Sequence, residues 1–428
     1  MLPRPHTSEL SSMYNAHWSD DDDENYTVIP AGYRLPASVS PIHQNWIDLN
    51  SYQNLLHYYM THVLPIQFSH ADGSVDAIIW NLIHSSHAAR EAVCLFADLH
   101  RRSTQGGPIG YSAPEDRDVH RRIQGAIEPV TEGDAFASLC MISYCLFSGG
   151  QGQWQAFLDS ACQFSLASLK QNPSSPASAL ISCTDSMRFI IKTSMWYDVL
   201  ASVTLIRRPM FEVLRILSDP SGTALTDGRP ELSMINIMGC ETRNIVALAE
   251  IADLACWKEE VRCTGSLSVP ELVRRGQLIE TVLKTTNDDD HPHPTETEKS
   301  RLRRLTSAVF RMSALVYLHS VLSGDYPLCP EIMDSVTETA MCLRHAEDVS
   351  AGIAPHVLHS MVFNICVCGC LTDDPQFRDY FLQLLQGQQM QTAGNCALIC
   401  DLVRRVWASR EGGMPVDWRV VMRDMLLV

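Results

Sequence analysis

From about residue 45 onward, apolar residues return every three or four positions, which stacks them along one face of a helix. Ala88, Ala92, Leu95, Phe96 and Leu99 form one such stripe, with Arg90, Glu91 and Asp98 turned elsewhere. Leu302, Leu305, Val309, Met312 and Val316 repeat it, as do Cys396, Ile399, Cys400, Val403 and Val406. Strict alternation of apolar and polar residues, the mark of a half-buried strand, is nearly absent. Helix starts carry their usual chemistry. Ser112 with Glu115, and Ser268 with Glu271, have capping-box spacing, and Asp374 before Pro375 suits an N-cap and first turn. Breaks at 106–110, 173–176, 220–230 and 287–294 separate roughly twelve to fourteen helices, without a fixed repeat length. The expected fold is all-α, one large multi-helix domain over residues 45–428.

Residues 1–44 read differently. They hold an acidic run at 20–24 and prolines at 30, 36 and 41, with no apolar periodicity, so a disordered acidic leader is expected. "MYNAHWSDDDDENY" mixes acids with aromatics as some activation segments do, although a solvated tail is the simpler expectation.

The formal charge of −16 argues against this chain wrapping nucleic acid by itself. Where a secretory signal would be apolar, "MLPRPHTSEL" has proline and histidine, so the fifteen cysteines are expected to stay reduced and pack as small hydrophobes. The longest uncharged stretches, around 135–157 and 349–372, are interrupted by glycines or by Pro355, His356, His359 and Asn364. They read as buried helices, not membrane spans.

Three cysteines alternate in "NICVCGCLTDD", at 366, 368 and 370, which invites a metal reading. On a helix, however, Cys366 and Cys370 share a face while Cys368 points away, so three sulfurs cannot easily meet one tetrahedral ion. A buried helix is expected. His84 with His87, and His356 with His359, have a spacing that could place two imidazoles on one helix face, but neither pair has the glutamate of a zinc hydrolase. "DDDHPHP" at 288–294 reads as a flexible loop. "SGGQGQW" at 148–154 lacks the third glycine and preceding strand of a dinucleotide site, and no nucleophile elbow or phosphate loop occurs. No catalytic, cofactor-binding or metal-binding residue is assigned, no cofactor is expected, and the pocket residues of any ligand stay unknown. "KSRLRR" at 299–304 could serve import or touch phosphate; a solvated helix face is the plainer expectation.

Several segments, in order, resemble the fungal-specific transcription factor domain, the regulatory domain of fungal zinc-cluster transcription factors. "VWASREGGMPVDWRVVMRDMLLV" resembles its closing pattern, with Trp407, then Asp417-Trp418-Arg419 and a leucine-rich end. "LVYLHSVLSGDYP" at 315–327, "MGCETRNIVALAEIADLACWKEE" from Met238, "WYDVLASVTLIRRPMF" with Trp196, Tyr197, Asp198 and Pro209, and "LLHYYMTHVLPIQF" resemble other parts. Phe363-Asn364 stands where the family often has Trp-Pro. Its six-cysteine DNA-binding cluster has no counterpart here, since the first cysteine is Cys94.

The resemblance implies a non-catalytic regulatory domain that binds a ligand or partner, expected in the nucleus, with the cytoplasm as alternative. It implies transcriptional machinery or related zinc-cluster factors as partners, with no direct DNA contact by this chain and no membrane. A homodimer is left open. Some members sense sterols, so an apolar small-molecule ligand among the cysteine- and methionine-rich helices is one expectation; solid core is the other. The alternative function is a stand-alone scaffold or decoy that pairs with intact zinc-cluster factors.

Overall fold

A chain this rich in apolar stripes has to bury some helices on every side, and two of them organise the rest. In the computed structural model the described residues are 49–105, 131–150, 153–171, 175–218, 229–285, 296–350, 357–391, 394–414, 416–423 and 425–427. The leader at 1–44, the Ser112–Glu115 box, the loop at 288–294 and His356 lie outside them.

Fourteen helices of seven residues or more are present among the described residues, with no strand. They are α1 (Leu49–Tyr58), α2 (Gly73–Ser85), α3 (His87–Thr104), α4 (Glu132–Phe147), α5 (Trp154–Lys170), α6 (Pro176–Ser182) and α7 (Asp185–Leu205). Then come α8 (Thr242–Cys263), α9 (Val269–Lys284), α10 (Glu298–Ser323), α11 (Pro330–Ser350), α12 (Val362–Cys370), α13 (Pro375–Gln391) and α14 (Cys396–Glu411). The all-α expectation holds.

Neighbours in sequence pack side by side. α3, α4 and α5 form one group, α8 to α11 a second, and α12 to α14 a third. α7 joins the first group to α8, and α10 touches α8, α9, α11 and α12. Residues 189–204 of α7 are therefore all buried, as are 313–321 of α10. The three sequence stripes face this core, with only Ala88 and Met312 partly exposed. Among the described residues, Glu298–Ser323 is long and apolar enough to cross a membrane, yet 78% of its apolar window is buried inside the fold.

Local chemistry explains several boundaries. After α1 the chain widens into a π turn at Tyr59–Val63, immediately before Pro65, whose missing N–H cannot close a helical bond to Thr61. Ser268 accepts the Glu271 N–H at 3.4 Å, but the Glu271 carboxylate turns to Arg274 and Arg275, so only half of that box forms. A full box is built instead by Thr131 and Asp134, each accepting the other's N–H at 3.2 Å. Asp374 accepts the Gln376 N–H at 2.8 Å, as its place before Pro375 implies.

The single-turn helix Ile235–Met238 ends at Gly239, whose φ of 67° lies in the left-handed region. A Cβ on Gly239 would fall 2.4–2.6 Å from three atoms of the buried His70 ring. Both conformation and space therefore demand glycine here. Gly239→Ala is expected to destabilise the protein by ~1–3 kcal/mol in urea unfolding. Adding His70→Ala should recover part of that loss; a double variant no better than the two costs summed would refute a direct clash.

Candidate functional site

Six segments far apart in sequence close around a cleft of about 90 Å³. Residues 66–70 form one wall, α4 a second and α7 a third; the turn at 237–238, residues 359–362 and residues 394–396 complete it. Its floor is aromatic, from Phe68, Phe147, Trp196 and Tyr197. A polar row runs along one side. The Tyr59 hydroxyl donates to Gln67 Oε1 at 2.6 Å, Gln67 Nε2 donates to Ser143 Oγ at 2.9 Å, and Ser143 Oγ lies 3.2 Å from Tyr197 Oη. Burial pushes the Tyr197 phenol up to about 12, so the row is uncharged at neutral pH. A site for a drug-sized molecule usually has roughly 300–1,000 Å³, so the cleft is too small to enclose a sterol.

Arg303 holds the wall at 66–72 in place. It donates to the His70 carbonyl at 3.1 Å and to Asn236 Oδ1 at 3.0 Å, and pairs with Asp72 at 2.6 Å. Lys299 donates to the Ala71 carbonyl, and Arg304 pairs with Glu296 at 3.1 Å. Lys299, Ser300 and Arg301 lie exposed, as a solvated face would have them, whereas Arg303 and Arg304 are half-buried and bonded within the fold and Leu302 joins the core. His70 Nε2 sits 3.1 Å from Ser360 Oγ. Burial, then the charges of Arg303 and Lys299, push its imidazole down to about 3 and keep it neutral.

The family-like signatures fall at corners. Asp198, buried in α7, accepts the Met210 and Phe211 N–H groups at 2.6 and 3.2 Å and pairs with Arg207 at 2.8 Å. It thereby stitches the chain back after Ile206, which ends α7 in a left-handed conformation at φ 52°. At the other end, Asp417 caps the short helix Trp418–Val421 by accepting the Arg419 N–H at 2.9 Å. Trp418 is buried edge-on against Tyr317, with ring centroids 6.0 Å apart. Its backbone N–H donates to Asp325 Oδ2 at 3.3 Å.

The cysteine run lies in α12 and is wholly buried. Cys366 and Cys370 interact along one face, and Cys368 turns to Thr339. The hydrogen bond to Cys370, then burial, raise the Cys366 thiol; burial lifts Cys368 to about 12. The open end of α12 is closed by donors from α14. Trp407 Nε1 reaches the Gly369 carbonyl at 2.8 Å and Arg410 the Cys370 carbonyl at 2.7 Å. The His84 and His87 imidazoles do not share one helix face, and the His356 and His359 pair lies partly outside the described residues. Ser86 breaks the backbone between α2 and α3 and caps α3, so His84 and His87 belong to different helices. His84 Nδ1 donates to the Trp80 carbonyl at 2.8 Å, and His87 lies 3.6 Å from Glu91. His359 sits in a 3-10 turn, Val357–Met361, beside the cleft.

Asp325 gives the C-terminal corner a pH dependence. Burial and the facing Asp417 raise its carboxyl to about 6, against the pull of Arg419, the Trp418 N–H and Arg410. Because the folded value exceeds the unfolded one, its stabilising contribution is present below about pH 4 and lost as pH rises through 6. Asp325→Asn should raise the urea midpoint at pH 7 and leave it nearly unchanged at pH 4. A midpoint lowered at pH 7 would show the ionised carboxylate to be the better partner.

Comparison with known proteins bears on the same segments. The family model described as the fungal specific transcription factor domain matches residues 54–427. The chain is 27% identical over 228 residues to the trichothecene biosynthesis transcription regulator TRI10 of Trichoderma arundinaceum, covering 53% of this chain and 49% of that protein. It is 25% identical over 210 residues to the ustiloxin B cluster transcription factor ustR of Aspergillus flavus, covering 45% and 34%. Transcription factor ntnD of a Nectria species is 23% identical over 247 residues, covering 54% and 38%. The chain thus spans half or less of the length of these relatives. No solved structure matches. With the match running through all three groups of helices, the chain belongs to the fungal specific transcription factor domain family.

Proposed function

We propose that residues 45–428 act as the regulatory domain of a fungal transcription factor, binding a ligand or partner rather than catalysing a reaction, with 1–44 as its acidic leader. The observation that carries this reading is the family match across residues 54–427. The relatives' names, a trichothecene biosynthesis regulator and an ustiloxin B cluster factor, support a set of biosynthetic genes as the target. Its place of action is the nucleus, and its partners are the transcriptional machinery or related zinc-cluster factors. A charge of −16 and the use of Arg303 and Arg304 within the fold support leaving DNA contact to other residues than these.

The test is a tethering assay. Joined to a heterologous DNA-reading domain in a filamentous fungus, the 428-residue chain should change reporter transcription by ~5-fold or more relative to the reader alone. A reporter unmoved by the folded fusion, under both vegetative and metabolite-producing conditions, would overturn the reading.

A further inference from the structure

The cleft between α4, α7 and the 66–70 wall has a chemistry that selects its occupant. We propose that it binds a compact, uncharged molecule that carries one hydroxyl on a single ring, of the size of a monocyclic alcohol or phenol. Charge is the first argument. Among the described residues the lining contains no lysine, arginine, aspartate or glutamate, and His70 is held neutral. An ion entering would leave water with no opposite charge to meet it, which is costly in an aromatic-walled site.

Hydrogen bonding is the second. Gln67, Ser143 and Tyr197 form a row whose hydroxyls can each donate and accept, and Tyr197 Oη stands at its end. A ligand hydroxyl extends that row by one member without stranding any group already in it. Shape is the third. Flat rings from Phe68, Phe147, Trp196 and Tyr197 suit a ring stacked or held edge-on. The cleft's 90 Å³ lies below the roughly 150 Å³ cavity that encloses benzene, so a single ring fills it with part of its edge in the mouth.

Gly394 supplies a clean test. It lines the cleft, a Cβ there would meet nothing within 4 Å, and its φ lies outside the left-handed region, so a larger side chain can enter without strain. Binding of phenol, cyclohexanol, toluene and benzoate to the full chain would be followed by ligand-observed NMR, with circular dichroism confirming that each variant is folded. Phenol and cyclohexanol should bind saturably, benzoate should not, and Gly394→Leu should weaken phenol ~10-fold. Tyr197→Phe should weaken phenol while leaving toluene unchanged. No saturable binding, benzoate binding as well as phenol, or indifference to Gly394→Leu would overturn the proposal. The assay reads binding on the isolated protein, so its failure is separate from any failure of the reporter assay.

Discussion

A helix buried on every side has no wet face on which to leave a polar group, and α7 and α10 impose that condition on everything packed around them. Several of their hydroxyls answer it locally. Ser202 donates to the Val199 carbonyl at 2.6 Å, Ser313 to Phe310 at 3.1 Å and Ser320 to Tyr317 at 2.8 Å. Where local bonding is not enough, neighbouring helices supply partners. Asn364 of α12 reaches Ser313 at 2.6 Å, Asn244 of α8 reaches Ser307 at 2.9 Å, and Lys192 of α7 reaches the Ser233 carbonyl at 2.6 Å. These bonds fix which helix lies against which, because moving either partner would strand a buried group at a cost of ~1–3 kcal/mol.

The same condition explains why the signature residues sit at corners. A chain leaving a fully buried helix must turn before it reaches water, and its freed backbone amides need acceptors that are already inside. Asp198 serves the turn after α7, and Asp325 with Asp417 serves the last turn of the chain. Glycine at 239 serves a third corner by giving the His70 ring room. None of these groups needs to touch a ligand to be indispensable.

What could be read in the sequence follows from range. Stripes such as Leu302 to Val316 report on one face of one helix, and their burial came out as the spacing requires. The alternating cysteines were legible for the same reason, since helical geometry separates Cys368 from its neighbours. That His84 and His87 lie on different helices could not be read from spacing, because one residue, Ser86, adopts an extended conformation between them. The Thr131–Asp134 box was missed because aspartate replaces the longer acid of the familiar motif. The half-burial of Arg303 was not legible because its acceptors, the His70 carbonyl and Asp72, lie more than two hundred residues away. The cleft could not be read at all, since its walls run from Ile66 to Cys396 and no local pattern marks them.

The position of the cleft says how occupancy could matter to a regulator. Trp196 and Tyr197 belong to α7, which is buried continuously over residues 189–204 and close-packed there. The opposite walls are turns and short segments: residues 66–70, the turn at 237–238, and residues 359–360 and 394–395. Bonds tie them to other parts of the chain, such as His70 to Ser360 at 3.1 Å and Asn395 to the Leu426 carbonyl at 2.9 Å. A ligand pressed against a rigid floor therefore acts on the walls, and the walls lead to Arg303 on one side and the C-terminal segment on the other. Asn395 is the direct link to that segment, because a shift of its side chain frees the Leu426 carbonyl it now holds. Under the binding proposed above, the route from the cleft to the end of the chain runs through Asn395 and the Leu426 carbonyl.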